Sequence, residues 1–199
     1  MNNSIKQIFN SIYRLLVFPI YLVVVVNGKI SGTENTYRSF AQRLSRASGK
    51  HGEFIRRAFY NFTLEKTGKD LVVSFGSLFT HRNTSLGDRI VIGQYTIIGR
   101  ASIGSNAMIS DHVSILSGKY QHRYSEEGIL LENDQEISSI TIGKSTWVGA
   151  GSVVMNNIGE GSVIGAGSVV VKEICSFVIA AGCPAKEIKK RNKERDNGF

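Results

Sequence analysis

Residues 86–116 read LGDRIV, IGQYTI, IGRAS, IGSNAM, ISDHVS and IL, and residues 142–174 read IGKSTW, VGAGSV, VMNN, IGEGSV, IGAGSV and VVKEI. An aliphatic residue opens each unit, glycine usually follows, and a small or β-branched residue stands fifth. A period of six fits neither the helical period of about 3.6 nor ordinary strand alternation. Three such units make one triangular coil of a parallel β-helix, each unit giving one short flat strand. The glycine after the aliphatic residue is expected to supply the unusual backbone angles of a corner.

Neighbouring strand residues point to opposite faces, so the phase separates inside from outside. First and fifth places point inward. The fifth places of eight regular units are Ile90, Thr96, Ala107, Val113, Thr146, Ser152, Ser162 and Ser168, small or β-branched as a narrow interior requires. The sixth places point outward, and seven of the eight are apolar, among them Val91, Ile97, Met108, Trp147 and Val153. An outward apolar face needs a cover, which predicts a homo-oligomer of closed cyclic symmetry. Two units are short, and residues 117–139 (SGKYQHRYSEEGILLENDQEISS) break the pattern. A loop of that length in a compact scaffold points to function.

Away from the repeats the chain changes character. At 199 residues it has room for one main domain with an appendage, and its 42% apolar and 20% charged residues exclude disorder and a polytopic membrane protein. Residues 1–70 form an apolar and basic helical region, residues 71–185 the β-helix domain with its loop at 117–139, and residues 186–199 a basic tail. Lys+Arg against Asp+Glu count 11 to 4, 7 to 9 and 6 to 3 in the three parts, so the net +8 resides at the two ends. No nucleic-acid motif or basic-aromatic reading surface accompanies it, and an anionic membrane surface is the expected partner.

Leu15 to Val26 is an uncharged run of 12 residues holding Pro19, with Lys6 and Arg14 before it and Lys29 after. A spanning helix needs about 20 apolar residues, so this run reads as too short to cross. A signal sequence and a buried core segment are the alternatives to monotopic membrane association. Tyr37, Phe40, Ala41 and Leu44 then recur at helical spacing beside Arg38, Arg43 and Arg46. Phe54, Ala58, Phe59 and Phe62 do the same around Arg56 and Arg57, and both helices are expected to show basic faces to headgroups. Cys175 and Cys183 read as reduced thiols.

Four histidines are candidates for chemistry. His51 reads as solvated, and His112 as a solvent-facing residue of its hexad. His81, with Asn83 in THRNTS, and Glu126 are candidate substrate contacts. His122 stands in the long interruption, where a titratable side chain can lean across a groove between subunits. The separations of 31 and ten residues between His81, His112 and His122 form no local ligand motif, so no metal is expected. No nucleophile elbow is present for a Ser-His-Asp system.

The hexads, ILSGKYQH, IGKSTWVGAGSVV and the tail IGAGSVVVKEI with VIAAGCPAKEIKK resemble the hexapeptide-repeat acyltransferases, particularly the sugar and polysaccharide O-acetyltransferases. The resemblance spans roughly residues 72–190. It implies a mainly β chain built on a left-handed parallel β-helix, a homotrimer, and acetyl-CoA as co-substrate. In that family a loop histidine takes the proton from an acceptor hydroxyl, which attacks the thioester directly, and His122 matches it, with Glu126 or Glu127 as a partner to orient it. Trp147, Ala150, Ala166, Lys172, Lys186 and Lys189 match the acetyl-CoA groove. The implied activity is O-acetylation of a saccharide or lipid-linked saccharide in polysaccharide biosynthesis, in the cytoplasm and peripheral or monotopic on the inner face of the cytoplasmic membrane. An amino sugar, serine or antibiotic hydroxyl is an alternative acceptor. A non-catalytic β-solenoid scaffold and a metal-dependent hydratase are the rivals.

Overall fold

The computed structural model describes residues 3–31, 34–117, 125–129 and 137–191. The hexads wind into coils whose strands stack as three sheets, with seven, five and three strands. Pairing between coils is parallel, and the sixth-place residues fall into columns. Val91, Met108, Trp147 and Val163 align on the seven-stranded sheet. Ile97, Ser114, Val153 and Val169 align on the five-stranded sheet. The third sheet carries Ser85, Ser102 and Thr141 in the same outward place. The β-helix is thus a prism with two apolar sides and one polar side.

All eight fifth-place residues are buried. Burying a hydroxyl is costly unless it finds a partner, and here the next coil provides one. Thr96 Oγ1 donates to the carbonyl of Ser110 at 2.8 Å, Thr146 Oγ1 to Gly159 at 3.0 Å, Ser152 Oγ to Gly165 at 3.1 Å and Ser162 Oγ to Cys175 at 2.7 Å. Each acceptor is the second residue of the hexad one coil further along. The interior is therefore pinned coil to coil as well as packed.

The glycines act differently from the sequence expectation. Those in second place do not adopt left-handed angles; they stand where adjacent coils touch. A Cβ on Gly93 would lie 2.4 Å from the carbonyl carbon of Ser110, and one on Gly149 would lie 2.5 Å from the nitrogen of Ala166. The left-handed corner is the fourth place, held by Arg89, Tyr95, Asn106, His112 and Ser145 with φ of 53–61°, and by glycine later in the chain. The same signature reveals two hexads that lack the second-place glycine, VSFGSL at 73–78 with Gly76 at φ 75° and ICSFVI at 174–179 with Phe177 at φ 56°. Beyond them, Val178–Gly182 turns back on Ala185–Lys190 as an antiparallel pair that ends the seven-stranded sheet.

Three helices precede the coils: α1 (Asn3–Ser31), α2 (Asn35–Ser45) and α3 (Gly49–Thr63). Helices α2 and α3 close the N-terminal end of the β-helix. Tyr37 Oη donates to the Phe79 carbonyl at 2.9 Å, and Tyr60 packs edge-on against Phe79. Arg56 and Arg57 are not on a basic outer face; they are 2% and 6% exposed. Helix α3 is enclosed on nearly every side, so the helical spacing of its apolar residues did not leave a wet face. Arg56 Nε donates to Val73 O at 2.8 Å and its Nη1 to Ala47 O at 2.6 Å, while Arg57 Nε donates to Leu71 O and Nη1 to Asn10 Oδ1. Arg38 and Arg43 of α2 and Arg46 just after it are exposed as expected.

Helix α1 corrects the length argument. The uncharged run is 12 residues, yet the helix continues through polar residues on both sides for 29, and residues 7–31 are long and apolar enough to cross a membrane by length and composition. His51 is exposed but not merely solvated, because its Nδ1 shares a hydrogen bond with the Tyr13 hydroxyl of α1.

Candidate functional site

Trp147 and Ala150 stand three residues apart on one turn of the coil, Trp147 on the strand and Ala150 at the corner after it, and Ala166 takes the place of Ala150 on the next turn. Trp147 ends its unit on the seven-stranded sheet, 46% exposed, and its Nε1 donates to Ser110 Oγ at 2.9 Å. Ser110 occupies a second place where most hexads carry glycine. That exception is the sequence signal by which it could have been found. Ala150 and Ala166 are the third residues of their hexads, both exposed at the corner leading to the five-stranded sheet. The carbonyl of Ala150 accepts the N–H of Gly167 at 2.8 Å, which fixes the two alanines one above the other. The corner is narrow because its residues are glycine and alanine, so a slender ligand chain can meet backbone.

The basic strand stands at the upper end of this line. Lys186 lies opposite Ala181 and Lys189 opposite Ile179 in the antiparallel pair, and both lysines are exposed. Ala181 sits directly over Gly165, whose added Cβ would be 2.8 Å from the Ala181 Cβ. Lys172 does not join them. It follows the last strand of the five-stranded sheet and is exposed on the next corner.

That second corner is where the 117–139 interruption leaves and re-enters. Ser138 N–H donates to the Ser117 carbonyl at 3.1 Å, closing the base of the loop, and Ser117 Oγ accepts from Arg100 N–H at 2.9 Å. A cavity of about 200 Å³ lies at this base, lined by Thr80, His81, Ile97, Gly99, Leu116 and Ser117 among others. His81 Nδ1 pairs with Thr80 Oγ1 at 2.8 Å, and its Nε2 is buried with no hydrogen-bond partner among the described residues. Burial first, then the positive charges of Arg38 and Arg100, hold this imidazole below its ordinary pKa, with Glu34 opposing. The surroundings therefore disfavour the charged form of His81 at the base of the loop. Asn83, two residues on, is exposed, and Glu126 is exposed in a turn closed by Gly128 N–H to Ser125 O. His122 lies outside the described residues.

His112 occupies a left-handed corner and stacks on Tyr95 with ring centroids 5.2 Å apart, a surface pairing between adjacent coils. Among the described residues no group of three or more His, Cys, Asp or Glu is placed to hold a metal ion. Cys175 and Cys183 are free and exposed. Hydrogen bonding with Glu187 pushes the Cys175 thiol up.

No protein-family model and no curated protein sequence matches the chain. Solved structures do. A maltose O-acetyltransferase from Clostridium difficile 630 is 23% identical, with 79% of this chain and 86% of that one covered and a TM-score of 0.60. A galactoside acetyltransferase in complex with coenzyme A is 24% identical over 77% of this chain and 78% of that one, with a TM-score of 0.58. The N-acyltransferase AntD from Bacillus cereus, as a mutant bound to dTDP and coenzyme A, is 18% identical over 69% and 90% with a TM-score of 0.55. The chain shares the fold of these acyltransferases, a left-handed parallel β-helix of hexapeptide repeats.

Proposed function

We propose that the chain is an acyltransferase that moves an acetyl group from acetyl-CoA to a hydroxyl of a saccharide used in polysaccharide assembly at a membrane. The observation that carries the reading is the row formed by Trp147, Ala150 and Ala166 below the strand of Lys186 and Lys189, on a fold shared with sugar-directed acyltransferases bound to coenzyme A. The fit is chemical: small corner residues admit the pantetheine arm to the backbone, and the ammonium groups pair with nucleotide phosphates. Lys172, on the other corner, reaches the same ligand only if the groove is shared with a neighbouring subunit. The thioester of acetyl-CoA supplies the activated acyl group.

His122 is the proposed general base. It takes the proton from the acceptor hydroxyl as the oxygen attacks the thioester carbon, and returns it to the departing thiol. Catalysis of this kind is worth about 10²–10⁴-fold. His81, Asn83 and Glu126 are proposed to contact the acceptor, His81 from the cavity at the loop base. The two apolar sides of the prism, which need a cover, support a homotrimer of closed cyclic symmetry. Here the third side is the polar one, with Ser85, Ser102 and Thr141 outermost. The exposed apolar surface of α1 and the basic N-terminal region support peripheral or monotopic attachment to the inner face of the cytoplasmic membrane.

The test is thermal unfolding with and without acetyl-CoA, alongside release of free coenzyme A from acetyl-CoA in the presence of neutral and amino sugars. The expected result is a raised unfolding midpoint, with release dependent on a saccharide hydroxyl and lost in His122→Ala while that variant keeps its ligand-induced shift. No shift at millimolar acetyl-CoA refutes the donor. Turnover on amino sugars alone would move the reading to N-acylation, the reaction named for AntD.

A further inference from the structure

Helix α1 has two apolar stripes. The inner stripe, Tyr13, Val17, Ile20 and Val24, advances by steps of four, three and four residues and packs on α3. Tyr13 stacks on Phe54 with centroids 5.3 Å apart, and Tyr21 stacks on Phe62 at the same separation. Eight residues divide Tyr13 from Tyr21 and eight divide Phe54 from Phe62, so the helices run side by side over about 12 Å. The outer stripe, Ile8, Ile12, Leu15, Leu22, Val26 and Ile30, runs along the side turned away from α3, with Leu16, Phe18 and Val23 also exposed beside it. It is exposed along its whole length, from 59% at Ile8 through 75% at Leu15 to 81% at Ile30.

We infer that α1 lies in the plane of an anionic membrane leaflet, its outer stripe among the acyl chains and its inner stripe on α3, and does not cross. This rests on the membrane attachment proposed above and fixes its geometry. By length α1 could span, but α3 would have to follow it. Helix α3 is riveted to the first coil by Arg56 to Val73 O and Arg57 to Leu71 O. Two buried guanidiniums cannot be drawn into hydrocarbon with it. An in-plane helix needs no such move, because its apolar face enters only about 5–10 Å below the headgroups.

Charge selects the lipid over a second copy as the cover. Helix α1 contains no Asp or Glu, while Arg14 and Lys29 are exposed, and α2 with its C-cap adds Arg38, Arg43 and Arg46. A second α1 laid against the first would bring only like charges to the seam. Anionic headgroups complement all five. The docking also sets the pose of the chain, with the N-terminal end of the β-helix toward the bilayer.

The test uses the full chain with phosphatidylcholine vesicles, with and without phosphatidylglycerol. Single tryptophans are placed at Ile8, Leu15, Leu22 and Ile30 in a Trp147→Phe background, and quenching is read with lipids brominated at known depths. Flotation with the anionic vesicles and a shallow, level depth profile at all four positions is the expected result. Leu15→Glu should cut vesicle partition at least about tenfold with a melting temperature close to the parent's, because Leu15 is 75% exposed. Flotation with a profile deep at Leu15 and Leu22 and shallow at both ends would show a spanning helix and overturn the in-plane inference alone. Absence of flotation, with the protein a stable oligomer through α1, would overturn the membrane reading itself.

Discussion

Arg56 joins the helical cap to the β-helix, and replacing it by methionine separates two opposing effects. The guanidinium is almost fully buried and meets carbonyls: Val73 at 2.8 Å, Ala47 at 2.6 Å, and Leu44 and Ser45 at 3.3 Å each. Three of these belong to the C-terminal end of α2 and the turn after it, where unsatisfied carbonyls carry the negative end of the helix dipole. Methionine fills similar space and removes the desolvation that holds the Arg56 pKa below its ordinary value. For buried ion pairs such a swap is often neutral, since both charges leave. Here the partners are backbone and stay behind. The two short bonds are worth about 1.5–3 kcal/mol each, and recovering the desolvation offsets part of that, leaving a net loss of about 3 kcal/mol. For a chain of this length that is a fall of about 6–12 °C in melting temperature. Thermal unfolding by circular dichroism, at matched protein concentration, reads it directly. A variant that melts at or above the parent would show that burying the charge costs more than capping returns, and would refute the capping role of Arg56.

Three more outcomes follow from the geometry. Gly93→Ala should destabilise by about 1–3 kcal/mol through collision with the next coil, whereas Gly167→Asn, at φ 68° with open space around it, should cost less than about 1 kcal/mol; equal melting temperatures would refute the assignment of the second and fourth places. His81 is disfavoured as imidazolium in the folded chain, so its contribution is present above the unfolded pKa of about 6.5 and is lost as pH falls through that value toward the lower folded one. The melting temperature should therefore drop less between pH 7.5 and 5 in His81→Gln than in the parent, and parallel profiles would exclude the effect. In a Cys183→Ser background, Glu187→Gln should speed maleimide labelling of Cys175, because the carboxylate that raises the thiol pKa is gone; an unchanged rate would show that Glu187 does not control the thiol.

The coil was legible in the sequence because a hexad is a local code. Its aliphatic first place, small fifth place and outward sixth place are dictated by strand alternation over a few residues, and each was found where the spacing put it. The grouping of Trp147, Ala150 and Ala166 was legible for the same reason, since stacked hexads superpose equivalent places. Two hexads, at 73–78 and 174–179, were hidden because the second-place glycine served as the marker while its physical cause is contact with a neighbouring coil, which not every coil demands equally.

What only the tertiary structure decided depends on which side of the prism a residue meets. The units of five and four residues and the 117–139 interruption all fall between the five-stranded and three-stranded sheets, which gathers the regular, apolar sixth places onto the other two sides. That sorting needs the coils to be wound before it exists. His81 reaches the loop base for the same reason, across a span the sequence does not measure. Arg56 and Arg57 looked like a basic face because spacing along one helix reports only that helix. Packing α3 between α1 and the first coil turned both inward, where backbone carbonyls, which no side-chain pattern encodes, became their partners. Helix α1 shows both limits together: its hydrophobicity is written in the sequence, and the choice of which stripe faces protein and which faces away was made by α3.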